Sequence, residues 1–306
     1  MKVLLTLNKT YRGEIDGGYW NIYRPLQSLG HDVYLYDTVK STEDFKKVVE
    51  TFKPDLIYCC MTGNEVIAPR EASALRQIQA ETRRGRTITY NAFLDDAWRF
   101  DSFSSKIVEN FRVYSTTEAG YLERYKELGY GNILLFGLHS NLELYPKIAY
   151  KEKDIGLSFV GHLTESRARF LEYLQAQDLT VVRAQGVTHE KMLEVYARSQ
   201  IGINLSINDN HPLKKTQIKQ RLFEIPAAGS LLITEYHQGI ERYYEIDKEI
   251  VVFKTNNEFV EKVKALQSRP KLAERIAANG LARFRAEHDS KIALKKQLEE
   301  IINVGK

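Results

Sequence analysis

QIKQRLFEIPAAGSLLITE, residues 217–235, is the stretch whose reading decides the fold. At 100° per residue Ile218, Leu222 and Ile225 share one helix face, and Gln217, Gln220, Arg221 and Glu224 share the other. One face packs and the other is free to hold something. Pro226 removes a backbone donor, Gly229 can supply a positive-φ ending, and LLIT has the continuous apolar run of a parallel strand. The stretch predicts a short helix, a small-residue turn and a buried strand, with a ligand site at the edge of an α/β sheet.

Working outward, the same rhythm fills the second half of the chain. IGLSFVG (155–161) reads as a strand, 164–176 as a helix, LTVVRAQ (179–185) as a strand with a turn at Gly186, and Thr188 as the cap of a helix leading to the strand IGINLS (201–206). After the quoted stretch, 240–253 gives one more helix and strand, and 256–267 and 270–286 give helices. A last helix at 290–303 offers Ile292, Leu294, Leu298, Ile301 and Ile302 as a docking face. NLELYPKIAYKEKD (141–154) has a proline, a charge cluster and no clean period, so the domain boundary is placed near 148. The expected division is 1–147, 148–289 and a C-terminal helix 290–306.

The first half alternates in the same way. Strands are expected at 2–7, 31–38, 55–60, 87–92, 112–116 and 132–137, with helices near 19–29, 43–52, 70–84 and 117–128. Six strands alternating with helices predict an α/β fold with a parallel sheet covered on both sides, whose ligands bind beyond the carboxyl ends of the strands. The loop RGEIDGG (12–18) lacks GxGxxG spacing, so no nicotinamide dinucleotide is expected. Its Gly17 and Gly18 read either as a close backbone approach to a substrate or as a flexible turn.

A chain of 306 residues, 43% hydrophobic and 27% charged, is long enough for two cores. It has no apolar run of about 18 residues, and its opening MKVLLTLNKTYRG reads as a strand and not as a secretory signal, so a cytoplasmic protein is expected. Cys59 and Cys60 sit together in an apolar run and read as buried thiols, not as a disulfide or a metal site. The formal charge of +4 is dispersed among acids. It suits an anionic small ligand or weak contact with an anionic membrane surface, and no nucleic-acid motif accompanies it.

Three groups of side chains suggest chemistry. Asp95 and Asp96 follow a strand end, where a carboxylate can act as general base, bind sugar hydroxyls, or cap a helix. His139 stands at a similar level and reads as catalytic or structural. Lys214 and Lys215 before the helix, and Lys219 and Arg221 in its first turns, put positive charge where a helix N-terminus already favours anions. A diphosphate would fit there, and Glu224, one turn deeper, could accept ribose hydroxyls. The plainer reading of Arg221 and Glu224 is an exposed i,i+3 ion pair.

The ordered series FVGHLTESRARFLEYL, QRLFEIPAAGSLLITE and GIERYYEIDKEIVVFKTNNEFVEKVKALQSRPKLAERIAANGLARFRAEHD resembles the C-terminal domain of the CgeB-like (spore maturation protein type) glycosyltransferases, over roughly residues 155–300. The N-terminal half resembles that family in architecture only. The resemblance implies a GT-B fold of two facing Rossmann-like domains. A nucleotide-sugar donor, UDP-sugar foremost, is held by the second domain, and a carbohydrate, lipid-linked or protein acceptor by the first. It also implies no cofactor, no essential metal and a final helix that crosses back to the first domain. By position, Glu224 resembles the ribose-binding glutamate and Arg221 and Lys219 the diphosphate partners. Gly161 and Arg167 resemble the turn and helix start near the phosphates, and Gln185, Gly186 and Val187 the neighbours of the base. Relatives with two glutamates eight positions apart would carry the first at Thr216, which is not acidic.

The expectation is a hexosyltransferase-type glycosyltransferase working in an interdomain cleft, with Asp95 or Asp96 handling the acceptor hydroxyl. The alternatives are a noncatalytic sugar or nucleotide-binding protein of the same fold and a Rossmann oxidoreductase or epimerase.

Overall fold

The computed structural model describes residues 1–11, 13–38, 40–61, 69–207, 209 and 216–306. The chain forms two compact units, one of Met1–Gly137 with Ser290–Lys306 and the other of Leu138–Asp289.

The first unit carries β1 (Lys2–Leu7), a short antiparallel pair β2 (Thr10–Tyr11) and β3 (Glu14–Ile15), then β4 (Asp32–Asp37), β5 (Leu56–Cys59), β6 (Ile88–Phe93), β7 (Val113–Thr116) and β8 (Ile133–Leu135). All six expected strands form, in one parallel sheet of order β4-β1-β5-β6-β7-β8. The central strands β1, β5, β6 and β7 are buried because helices cover both faces, and the edge strands β4 and β8 are only partly so. Asp44 caps the helix Phe45–Phe52 by accepting from Lys46 N at 3.1 Å. The small β2–β3 hairpin was not expected, since two residues per strand are too few to show alternation.

Helix Ser290–Gly305 packs on this first sheet. Leu294, Leu298 and Ile301 are buried among Val3, Tyr58 and Tyr90. Gln297, a polar residue on the same face, takes the Tyr58 hydroxyl at 2.9 Å and donates to the Tyr90 hydroxyl at 3.1 Å. Ile292 departs from the expected docking face and is 47% exposed.

The second unit carries β9 (Ile155–Val160), β10 (Val182–Ala184), β11 (Ser199–Asn204), β12 (Leu231–Glu235) and β13 (Val251–Phe253), parallel in the order β10-β9-β11-β12-β13. The helices Asn256–Gln267 and Pro270–Arg283 form near their expected bounds. Leu138, Leu142, Leu144 and Tyr145 pack into this unit's core, so the division falls at Gly137–Leu138, earlier than the boundary expected near 148.

The segment read first begins differently from its expectation. Its helix starts at Arg221, not Gln217, and runs to Ala227. Thr216 forms an isolated antiparallel bridge with Ile207, and Gln217 N donates to Ser206 O at 3.0 Å, so the backbone is extended where a helix was expected. The helix ends as foreseen, with Gly229 at φ +67°. It lies close against β11: a Cβ on Gly202 would meet Ile225 Cγ2 at 2.7 Å. Among the described residues, no helix is long and apolar enough to cross a membrane.

Candidate functional site

The second unit's strands deliver their carboxyl ends to one edge of the sheet. After β9 the chain turns at Gly161, whose φ of +141° strains any side chain. The turn opens the helix Glu165–Ala176, with Arg167 in its first turn. From the other side, Arg221 opens the helix Arg221–Ala227. Its Nε donates to Asn204 Oδ1 at 3.1 Å, Nη1 to Val160 O at 3.2 Å and Nη2 to Leu205 O at 3.3 Å, which ties the ends of β9 and β11 together. Three of the five guanidinium N–H groups are thereby used by acceptors among the described residues.

Both guanidinium groups sit over the buried Phe159 ring, Arg221 at 5.3 Å and Arg167 at 6.0 Å from its centroid. Arg167 donates to His162 O at 2.9 Å. Its pKa falls to about 10, first because it is buried and second because Arg221 is a like charge beside it. Arg167 Nε and the Thr164 hydroxyl are buried and, among the described residues, have no hydrogen-bond partner. Buried donors without acceptors beside two cations form a site that an anion would complete.

Carboxylates frame the site. Glu235, at the end of β12, accepts from Ser206 N at 2.8 Å and Ile207 N at 2.9 Å through one oxygen, Oε2. Asp209 accepts from Ser166 Oγ at 2.6 Å. On the β10 side, Gln185 accepts from Leu163 N at 3.3 Å and contacts His162 Nδ1 at 3.2 Å, linking the loops after β9 and β10. Gly186 follows at φ +63°.

Glu224 differs from its expected setting. It is buried and lies 3.4 Å from the Tyr196 hydroxyl, so it is not one half of an exposed pair with Arg221. Burial pushes its carboxyl up to about 7, against the pull of Arg221 and the Tyr196 hydrogen bond. Lys219 precedes the helix instead of lying in its first turns. Gln220 anchors this entry by donating to His139 O at 2.6 Å. His139 is itself buried, and its imidazole falls to about 4 through burial and the neighbouring His288. Lys214 and Lys215 lie outside the described residues.

In the first unit Asp95 and Asp96 part ways. Asp96 is fully buried and takes the Tyr125 hydroxyl at 2.9 Å. Burial lifts it to about 6, although hydrogen bonding from Ser104, Thr116 and Tyr125 opposes the rise. Asp96 therefore lies inside the unit, and of the two aspartates Asp95 is the one with exposed surface. Asp95 keeps 29% of its side chain exposed, 3.9 Å from Arg99 Nε. Gly17 and Gly18 open the helical turn after β3, and Gly18 N donates to Asp16 Oδ1 at 2.8 Å. Gly18 has φ −62°, so it is an ordinary helix start and not a left-handed turn.

Sequence reasoning missed Phe159, Thr164, Asn204 and Tyr196. Asn204 alone left a signal, as a polar residue closing an apolar strand.

The glycosyl transferase-like family matches residues 143–299, just over half of the 306 residues. No curated protein sequence matches significantly. A glycosyltransferase from Rickettsia africae ESF-5 is similar in structure, with a TM-score of 0.68, 11% identity and coverage of 100% of this chain and 98% of that one. Sucrose-phosphate synthase from Thermosynechococcus elongatus gives 0.69 at 12% identity, with full coverage of both chains. HepE from Anabaena, solved in complex with UDP-glucose, gives 0.63 at 12% identity and 99% coverage of each. At such identities the likeness carries the fold, which is GT-B: two parallel-sheet α/β units. The family match spans the whole second sheet, the paired arginines and Glu224, and the chain belongs to the glycosyl transferase-like family.

Proposed function

We propose that the protein is a glycosyltransferase of the CgeB-like group that moves a hexosyl residue from a nucleoside diphosphate sugar, UDP-sugar foremost, to an acceptor hydroxyl. The observation that carries the reading is the pair of guanidinium groups over Phe159, beside a helix N-terminus and unpartnered buried donors. Such a site takes a diphosphate, and the solved UDP-glucose complex of HepE is consistent with that choice.

In this reading Arg167, Arg221 and the helix opening at Glu165 hold the diphosphate, Glu224 receives the ribose hydroxyls, and Gln185, Gly186 and Val187 flank the base. Lys219 adds charge at the helix entry. The acceptor oxygen bonds to the anomeric carbon as that carbon's bond to the phosphate oxygen breaks. The hydroxyl proton passes to Asp95, and the nucleoside diphosphate departs. Fixed cations meet the charge that develops on the leaving oxygen, so turnover is expected to need no metal. The acceptor-side loop is that of Gly17 and Gly18.

Calorimetric titration with UDP tests the site. Arg167→Ala and Arg221→Ala are expected to weaken binding at least tenfold each, and unchanged affinity in both overturns the assignment. Turnover of UDP-sugars in the presence of chelator tests metal independence, and its loss overturns that point. Thr216, where some relatives carry an acid, supports a second reading as a noncatalytic nucleotide-sugar-binding protein. UDP binding without donor turnover across donor and acceptor panels would favour it.

A further inference from the structure

The second sheet runs β10-β9-β11-β12-β13 with every pair parallel, so the carboxyl ends of its strands form one row. Strand order then sets the order of side chains along that row. Gln185 and Gly186 follow β10, Gly161 follows β9, and Arg221 ties the ends of β9 and β11. The next strand is β12, which closes on Glu235. The step to it from the arginine is short. Asn204 takes Arg221 Nε and donates to Thr234 Oγ1 at 2.9 Å, and the Glu235 charge reaches Arg167 and favours its charged form.

Glu235 is half-buried and set by main-chain groups. Its Oε2 takes Ser206 N at 2.8 Å and Ile207 N at 2.9 Å, and its main-chain carbonyl takes Ser206 Oγ at 3.1 Å. Among the described residues, Oε1 accepts no hydrogen bond. Two main-chain donors on one carboxylate oxygen hold the other in a set direction. Ile207 also bridges Thr216, the position at which some relatives carry an acid, and the Thr216 hydroxyl meets His237 Nδ1 at 3.1 Å. The carboxylate at this place comes instead from the end of β12.

We propose that Glu235 is a specificity-determining residue of the donor site, its Oε1 accepting hydrogen bonds from hydroxyls of the transferred sugar. A carboxylate one strand away from the two arginines disfavours a further phosphate beside it and favours an uncharged group rich in hydroxyl donors. In a nucleoside diphosphate sugar with its base at β10 and its diphosphate at β9 and β11, that group is the sugar. The inference rests on the glycosyl-transfer reading and names what sorts the donors. A fixed acceptor binds a hydroxyl turned towards it and rejects the epimer that turns the hydroxyl away.

Glu235→Gln tests the assignment, because the amide keeps one oxygen for Ser206 N and Ile207 N and puts an N–H donor where Oε1 stood. Both proteins are titrated calorimetrically with UDP, UDP-glucose, UDP-galactose and UDP-N-acetylglucosamine. The wild-type protein is expected to prefer one of these sugars. The variant is expected to bind UDP within about twofold of wild type and the preferred UDP-sugar about tenfold more weakly, so that the preference narrows. Equal losses for UDP and every UDP-sugar, or no loss for any of them, overturn the assignment. Magnesium that strengthens UDP binding to the wild-type protein but not to the variant would make Glu235 a metal ligand, and overturns it too. A wild-type protein that binds no UDP overturns the nucleotide reading and this inference together, whereas intact UDP binding with an unchanged sugar preference overturns this inference alone.

Discussion

A Cβ on Gly161 would stand 2.6 Å from Arg221 Nη1, so the bare backbone after β9 is what lets the guanidinium reach Val160 O. The two residues are 60 positions apart and act as one unit. Gly161→Ala must displace the guanidinium and also hold a side chain at φ +141°. The expected result is a UDP affinity about tenfold weaker, roughly 1.4 kcal/mol, in a protein that still folds, read by calorimetry alongside circular dichroism. Undiminished binding would show that the position of Arg221 does not matter to the nucleotide.

The Glu224 carboxyl gives a pH signature. Its folded pKa, about 7, lies above the ordinary 4.5 because burial disfavours the charged form. The folded state thus holds more protons than the unfolded chain between those values, and stability declines as pH rises through that window. Glu224→Gln cannot ionise and should lack this decline. The difference in unfolding free energy between the two proteins is expected to change by about 3 kcal/mol from pH 4 to 8. Parallel urea titrations across that range give the curve, and two curves of the same slope would disprove the burial effect.

Lys153 is a buried cation held by main-chain acceptors. Its Nζ donates to Ala197 O at 2.5 Å, Ala228 O at 3.0 Å and Ser230 Oγ at 3.2 Å, so it closes the carboxyl ends of two helices, one of them the helix that carries Arg221 and Glu224. Lys153→Ala strands those carbonyls without a donor and should cost about 3 kcal/mol in chemical denaturation. A loss below about 0.5 kcal/mol would mean that water replaces the ammonium at little cost.

Asp95 and Asp96 should separate in kinetics. Asp95→Asn is expected to lower transfer about a hundredfold, the usual scale of a lost general base, and to spare UDP binding. Asp96→Asn keeps an oxygen for the Tyr125 hydroxyl and removes a carboxyl that burial lifts to about 6, so its main effect should be a flatter pH dependence of stability between 4 and 6. Equal kinetic defects in both variants would contradict this division.

The sheets were legible in the sequence because their central strands, such as β1, β5, β7 and β12, are apolar runs bounded by turns, and that signal is local. Residues 217–220 were misread because the extended bridge between Ile207 and Thr216, next to them, is set by tertiary pairing, which overrides the helical period of QIKQRLFEI. Glu224 was assigned to an open face since periodicity supposes that one side of a helix meets solvent. Tyr196 arrives from the helix His189–Arg198 and helps to cover it. Phe159 reads as one more core aromatic in FVG, and only coordinates reveal two cations above its ring.

The return of residues 290–306 to the first unit makes the second unit an insertion within it. The two crossings run side by side: Ser140 N donates to His288 O at 3.3 Å, and Leu142 N to Asp289 Oδ1 at 3.0 Å. Residues 138–289 therefore begin and end at neighbouring points and carry their own sheet and core, the geometry of an excisable module. Expressed alone, that fragment should fold and keep the proposed nucleotide site, while the remainder would need only a short splice across the gap to close its own sheet and helix.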